Sequence, residues 1–128
     1  MGNNLILDKS FNFSVKIVNL YRKLVTEKKE YILSKQLLRS GTSIGANVKE
    51  GISGVSKSDF KNKLGIALKE AKETEYWLEL MVETNILTKE ESIESLSECN
   101  ELCRILSSII ISCNENALNV KLKMQDYK

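Results

Sequence analysis

Four stretches of this chain repeat apolar side chains at three- and four-residue intervals, the spacing that lines one face of an α-helix. In the first, residues 8–28, Phe11, Val15, Val18 and Val25 form one stripe and Phe13, Ile17, Leu20 and Leu24 a second. They leave only a polar wedge holding Asn12, Lys16, Asn19, Lys23 and Thr26. More of this helix is apolar than a single core-facing stripe requires. The second stretch, residues 31–50, puts Leu37, Gly41, Ile44 and Val48 on one face, with Ser34 and Gly45 beside them. Glycine inside a helix costs about 1 kcal/mol relative to alanine. Gly41 and Gly45 therefore predict either a neighbouring helix packed very close or a break near Gly41. Gly51 and Gly54 are expected to supply the stop and the turn.

The third stretch, residues 58–84, carries the stripe Phe60, Leu64, Ala67, Ala71, Leu78 and Met81, with Ile66, Trp77 and Leu80 on another face. Ser56 or Ser58 can cap it, with Asp59 at the positive end of its dipole. The fourth, residues 89–120, is preceded by Thr88 with Glu91 three positions on, a capping box. Leu96, Cys99, Cys103, Leu106, Ile110, Cys113 and Ala117 follow on one face, widened by Leu102, Ile105 and Ile109. Four amphipathic helices on short turns predict an all-α fold, an antiparallel up-down four-helix bundle, as one domain over residues 1–128.

Composition agrees with helices. Proline, which long helices exclude, is absent, and 42% hydrophobic with 28% charged residues is ordinary for a folded chain of 128 residues. The odd set Cys99, Cys103 and Cys113 does not read as a disulfide framework, and Cys99 and Cys103 lie on the apolar stripe, so they are expected to be buried thiols. With no secretory pattern at the start and no apolar run long enough to cross a bilayer, a cytoplasmic, non-membrane protein is expected.

Charge changes the picture more. The net charge is only +2, but residues 1–72 hold 14 basic against 6 acidic residues, and residues 73–128 hold 5 against 11. In an antiparallel bundle Lys49, Lys57, Lys61 and Lys63 gather at the turn between the second and third helices. Lys9 joins them from the start of the first helix, and Lys121 and Lys123 from the end of the fourth. Two readings stand side by side: a basic pole that holds RNA or DNA phosphates by charge, or an ordinary solvated lysine surface. Glu70, Glu73, Glu75, Glu79 and Glu83 read as a solvated acidic face. Gln36, Arg39, Ser43, Asn47 and Glu50 form a polar stripe, either a recognition edge or a set of internal or inter-subunit hydrogen bonds.

No constellation for catalysis emerges. Histidine is absent, which removes the commonest general base and metal ligand, and no glycine-rich phosphate loop follows a strand. A non-enzymatic protein without metal or cofactor is expected. The surplus apolar faces predict self-association instead, through Phe13, Ile17, Leu20 and Leu24 on the first helix and Ile66, Trp77 and Leu80 on the third.

One stretch is more specific. Arg39, Ser40, Ser43, Ile44, Asn47, Glu50 and Gly51 meet the pattern Arg-Ser-x-x-Ser-Ile-x-x-Asn-x-x-Glu-Gly, and Ser58-Asp-Phe60 and the run from Ile66 to Glu75 follow it. This resembles the small bundle proteins encoded in intervening sequences of bacterial 23S ribosomal RNA genes. The resemblance covers essentially the whole chain and implies an up-down bundle assembled as a ring-like homopentamer. The accessory variability protein of diversity-generating retroelements is similar in fold; it partners a reverse transcriptase and binds nucleic acid through a strongly basic surface. Such a partner, RNA or DNA is thus implied here too, although this chain is only mildly basic and its second half is acidic. The resemblance supplies no catalytic residues.

Overall fold

The computed structural model describes the chain from Gly2 to Asp126, with side chains from Leu5 to Asn116 and at Leu122. It holds four helices: α1 Gly2–Thr26, α2 Leu33–Ile52, α3 Lys57–Glu83 and α4 Lys89–Asp126. Each packs on two neighbours, in the cyclic order α1–α2–α3–α4, and among the described residues no backbone of one helix comes within 8 Å of the helix diagonally across. The all-α four-helix bundle expected from the apolar spacing is therefore the observed fold.

Local chemistry sets the ends. Ser56 caps α3, its hydroxyl accepting from the Asp59 amide at 3.0 Å. Thr88 and Glu91 form the capping box ahead of α4, at 3.1 and 2.9 Å. The α1–α2 turn reverses at Lys29, whose φ of 56° lies in the left-handed region. Glu30 then does what no N-cap hydroxyl does here: its carboxylate accepts from the amides of Ile32, Leu33 and Ser34 at 3.1, 2.9 and 2.7 Å. Burial raises the Glu30 pKa, but the three amides outweigh it and the carboxyl lies below its ordinary value.

Several boundaries depart from expectation, among them the end of α4, at Asp126 instead of residue 120. α1 begins at Gly2 instead of residue 8, and α2 begins at Leu33 instead of Tyr31, because Glu30 starts it from one turn earlier. Gly51 does not stop α2; it lies in the helix, where an added Cβ would meet the Lys63 Cβ of α3 at 3.1 Å. Gly41 causes no break either. A Cβ there would stand 2.8 Å from Ile17 of α1, and one at Gly45 would stand 3.1 Å from the Ser10 carbonyl. The two glycines form a notch that draws α1 against α2, the close packing their positions predict.

The core runs the length of the bundle, from Ile6, Phe13, Ile17 and Leu24 of α1, through Leu37, Ile44 and Val48 of α2 and Leu64, Leu78 and Met81 of α3, to Leu102 and Leu106 of α4. Cys99 and Cys103 belong to it. At 38 residues against 27, α4 outruns α3 by about 16 Å at 1.5 Å per residue. Its residues 114–116 are accordingly exposed.

Candidate nucleic-acid and assembly surfaces

Two residues of the polar stripe of α2, Arg39 and Glu50, staple it to α3, and two more, Ser43 and Asn47, bond within the helix. Arg39 bridges Glu70 and Glu73, with its guanidinium 2.6 Å from Glu73. The Glu73 carboxyl is held below its ordinary value, first by Arg39. One residue on, the buried hydroxyls of Ser40 and Thr74 are hydrogen-bonded across the seam at 2.9 Å. Ser43 donates to the Arg39 carbonyl and Asn47 to the Ser43 carbonyl, at 2.8 Å for the latter. Ile44 is core, Glu50 pairs with Lys63 at 2.9 Å, and Gly51 admits α3. Of the seven motif positions, Arg39, Ser40, Glu50 and Gly51 thus meet α3, Ile44 is core, and Ser43 and Asn47 bond within α2.

A second set of charges closes the ring of helices. Lys9, Lys16 and Lys23 recur every seven residues along α1 and face the glutamates of α4. Lys9 meets Glu101 at 2.9 Å, Lys16 meets Glu98 at 2.7 Å and also Glu94, and Lys23 meets Glu91 at 3.1 Å. Lys28 adds a bond to Glu91 at 2.8 Å. Glu91 is pulled down to about 2, first by Lys28, then by the Thr88 amide and Lys23, while Glu94 and Glu98 raise Lys16. Four lysines of the basic first half and four glutamates of the acidic second half thus pair side by side along this seam.

The basic pole is therefore smaller than expected. Lys9 and Lys63 are paired, whereas Lys49, Lys57 and Lys61 are exposed and have no ion-pair partner among the described residues. The side chains of Lys121 and Lys123 lie outside the described residues. A different basic surface appears along the outer side of α3 and α4. A groove of about 450 Å³ is lined by Ser58, Lys61, Asn62, Gly65, Ile66, Lys69 and Ile110. A second, of about 410 Å³, is lined by Lys72, Cys103, Arg104, Ser107, Ser108, Ile111 and Ser112. Lys61, Lys69, Lys72 and Arg104 are exposed. Among the described residues no carboxylate lines either groove, and none of the four forms an ion pair.

The assembly expectation needs a larger correction. Phe13, Ile17 and Leu24 are at most 1% exposed within the single chain, and Leu20 packs against the same core, so this stripe offers little to a second subunit. The outward stripe of α1 is the other one: Phe11 is 65% exposed and Val15 47%. Periodicity shows two apolar stripes without ranking them; the glycine notch and the lysine row decide which one turns inward. Trp77 is half-buried on the core, stacked edge-on against Tyr76 at 5.1 Å, with its Nε1 donating to Glu73 at 3.4 Å. Leu80 is half-buried and Ile66 is 39% exposed.

Among the described residues no group of three or more Cys, Asp or Glu is placed to hold a metal, and no helix is long and apolar enough to cross a membrane.

The spacing from Arg39 to Gly51, its stapling role and the four-helix fold coincide with a match of residues 2–108 to the 23S rRNA-intervening sequence protein family. The chain belongs to that family. A crystal structure of a protein of unknown function from the S23 ribosomal protein family of Bacteroides thetaiotaomicron VPI-5482 is similar, with 54% sequence identity and a TM-score of 0.84. The alignment covers 86% of this chain and 98% of that one. No curated protein matches. The fold expected of an intervening sequence protein is thus present, with Arg39, Ser40, Glu50 and Gly51 of its motif on the α2–α3 seam.

Proposed function

We propose that this intervening sequence protein is a non-enzymatic cytoplasmic subunit of a homo-oligomer that associates with nucleic acid along α3 and α4. The observation that carries the reading is the row Lys61, Lys69, Lys72 and Arg104, uncompensated in two grooves without a carboxylate among the described residues. Cations spread along a groove of serines and asparagine suit a phosphate backbone and carry no base-specific geometry, so binding would be sequence-tolerant and salt-sensitive. Lys49 and Lys57 extend the same charge towards the α2–α3 turn. Assembly would use the outward α1 stripe, Phe11 and Val15, whose apolar surface stays exposed in the single chain. Five copies of a +2 chain, as the family resemblance implies, would carry +10 and repeat the row around a ring.

Binding of generic RNA and DNA, followed by anisotropy across a salt series, tests the first half. Affinity should fall steeply with salt, and changing Lys61, Lys69, Lys72 and Arg104 to Glu should abolish it; no detectable binding at low salt would overturn the reading. Light scattering tests the second: Phe11→Lys with Val15→Lys should dissociate the oligomer, whereas a stable wild-type monomer would refute it.

A protein-binding scaffold is the competing reading, and one feature favours it. A niche of about 470 Å³ at the other end of α3 and α4 is lined by Val82, Ile93 and Leu96 together with Glu79, Glu83, Lys89 and Ser92, with Ile93 67% exposed. An apolar anchor flanked by basic residues would fit there.

A further inference from the structure

The α2–α3 turn carries an apolar residue that its own helix leaves unused. Ser56 is the N-cap of α3, which puts Val55 just before the cap and Phe60 four residues after it, the two positions that a hydrophobic staple joins. The staple is not made: Val55 is 97% exposed, more than any other large apolar residue described. Ile52, at the end of α2, is 36% exposed beside it. Lys49, Lys57 and Lys61 are exposed on the same segment and form no ion pair among the described residues. Of the two carboxylates there, Glu50 is held by Lys63, which leaves Asp59.

The niche of Val82, Ile93 and Leu96 has the converse make-up. Its floor is apolar, Ile93 stands exposed, and Glu79 and Glu83 line it with Lys89. None of these three charges is in an ion pair among the described residues. Turn and niche lie at opposite ends of α3, whose 27 residues span about 40 Å at 1.5 Å per residue, so a chain cannot reach its own niche.

We infer that the α2–α3 turn of one copy seats in the α3–α4 niche of a second copy, with Val55 and Ile52 against Ile93 and Lys49 and Lys57 towards Glu79 and Glu83. Asp59 and Lys89 are likewise opposite in sign. Burial of the exposed apolar side chains supplies the attraction, and the charges fix the orientation. Because the two surfaces differ, the contact is heterologous. Each added copy leaves one turn and one niche free, so growth runs head to tail unless the rotation closes a ring. The contact uses neither the nucleic-acid grooves nor the outward stripe of α1.

Sedimentation of the full-length chain carrying Phe11→Lys and Val15→Lys reads this contact apart from α1. Its mass should rise with concentration beyond that of a dimer. Adding Val55→Glu or Ile93→Lys should leave monomers; both residues are exposed, so helicity and the urea midpoint should stay unchanged. An equimolar mixture of those two variants retains one intact turn and one intact niche, and it should form a dimer and stop there. Lys49→Glu with Lys57→Glu should weaken association roughly tenfold, and adding Glu79→Lys with Glu83→Lys to the same chain should restore it. A starting variant that stays monomeric at millimolar concentration while the wild type associates would assign all assembly to α1 and overturn the inference. So would association that survives Val55→Glu, or a mixture that stays monomeric, which would leave the niche to a different protein. Equal association of the wild type and the starting variant would instead overturn the α1 reading and support this one.

Discussion

Helix α1 is held on its two sides by different physics. Against α2 it sits in the notch of Gly41 and Gly45, where Ile17 fills the space that a side chain at residue 41 would need. Against α4 it is tied by Lys9, Lys16 and Lys23, and just past its end by Lys28, to four glutamates, in pairs that solvent reaches. The first contact is short-ranged and steric, indifferent to salt and pH. The second is electrostatic, screened by salt and lost when carboxylates protonate. Exposed pairs contribute roughly 0.2–1 kcal/mol each, while full burial of a side chain such as Ile17 contributes about 1.5–3 kcal/mol. The α2 side should dominate stability, and the α4 side should fix which face of α1 turns outward.

The largest blow to this contrast should come from Gly41→Leu. The new side chain collides with Ile17, which already stands 2.8 Å from where a Cβ would be, so a loss of about 1–3 kcal/mol, unchanged between low and high salt, is expected in urea unfolding. A neutral result would show that the notch does not hold α1.

Glu91→Ala comes next, because it removes the capping-box acceptor and two lysine partners at once. About 1 kcal/mol should be lost at neutral pH. Acid titration separates its two roles. The folded Glu91 carboxyl sits near 2, below the ordinary 4.5, so its stabilisation is fully present above the ordinary value and disappears as pH falls towards 2. Glu30, Glu73 and Glu101 are lowered as well and act in the same window. The wild-type Tm should therefore drop below pH about 4.5, and the variant should drop less steeply. Identical slopes would deny the seam its pH dependence.

Gly65→Ala is the counterpart to the notch. No described heavy atom lies within 4 Å of a Cβ at residue 65, so helix propensity acts alone and stability should rise by up to about 1 kcal/mol. The smallest effect is expected for Lys16→Gln, a loss of about 0.5 kcal/mol that should vanish in 1 M salt. A loss that survives high salt would mean that the Lys16 stem, and not its charge, supports the seam.

Much of this was legible beforehand, and the misses share a cause. Helix existence, the Thr88–Glu91 box, the Ser56 cap and the buried thiols all follow from near neighbours in the chain, and each is where its spacing puts it. The lysine–glutamate seam was also legible in principle. Lys9, Lys16 and Lys23 keep a seven-residue step, as do Glu91 with Glu98 and Glu94 with Glu101, but pairing them requires knowing that α1 and α4 are adjacent. The basic pole was overestimated for the same reason: counting lysines at one end cannot reveal that Lys9 and Lys63 are already neutralised by Glu101 and Glu50.

By itself, then, the sequence determined the four helices, their caps, their antiparallel order and the membership that its Arg39–Gly51 pattern signals. Local hydrogen bonding and 3.6-residue periodicity are enough for that. Only the tertiary structure decided the rotation of each helix about its own axis. That rotation turns Phe13 and Ile17 inward and Phe11 and Val15 outward, and it leaves Lys61, Lys69, Lys72 and Arg104 uncompensated along the two grooves of α3 and α4. Two apolar stripes of similar strength on one helix cannot choose between themselves, because their burial is decided by shape and charge on helices distant in the chain: a glycine notch on one side and a row of glutamates on the other.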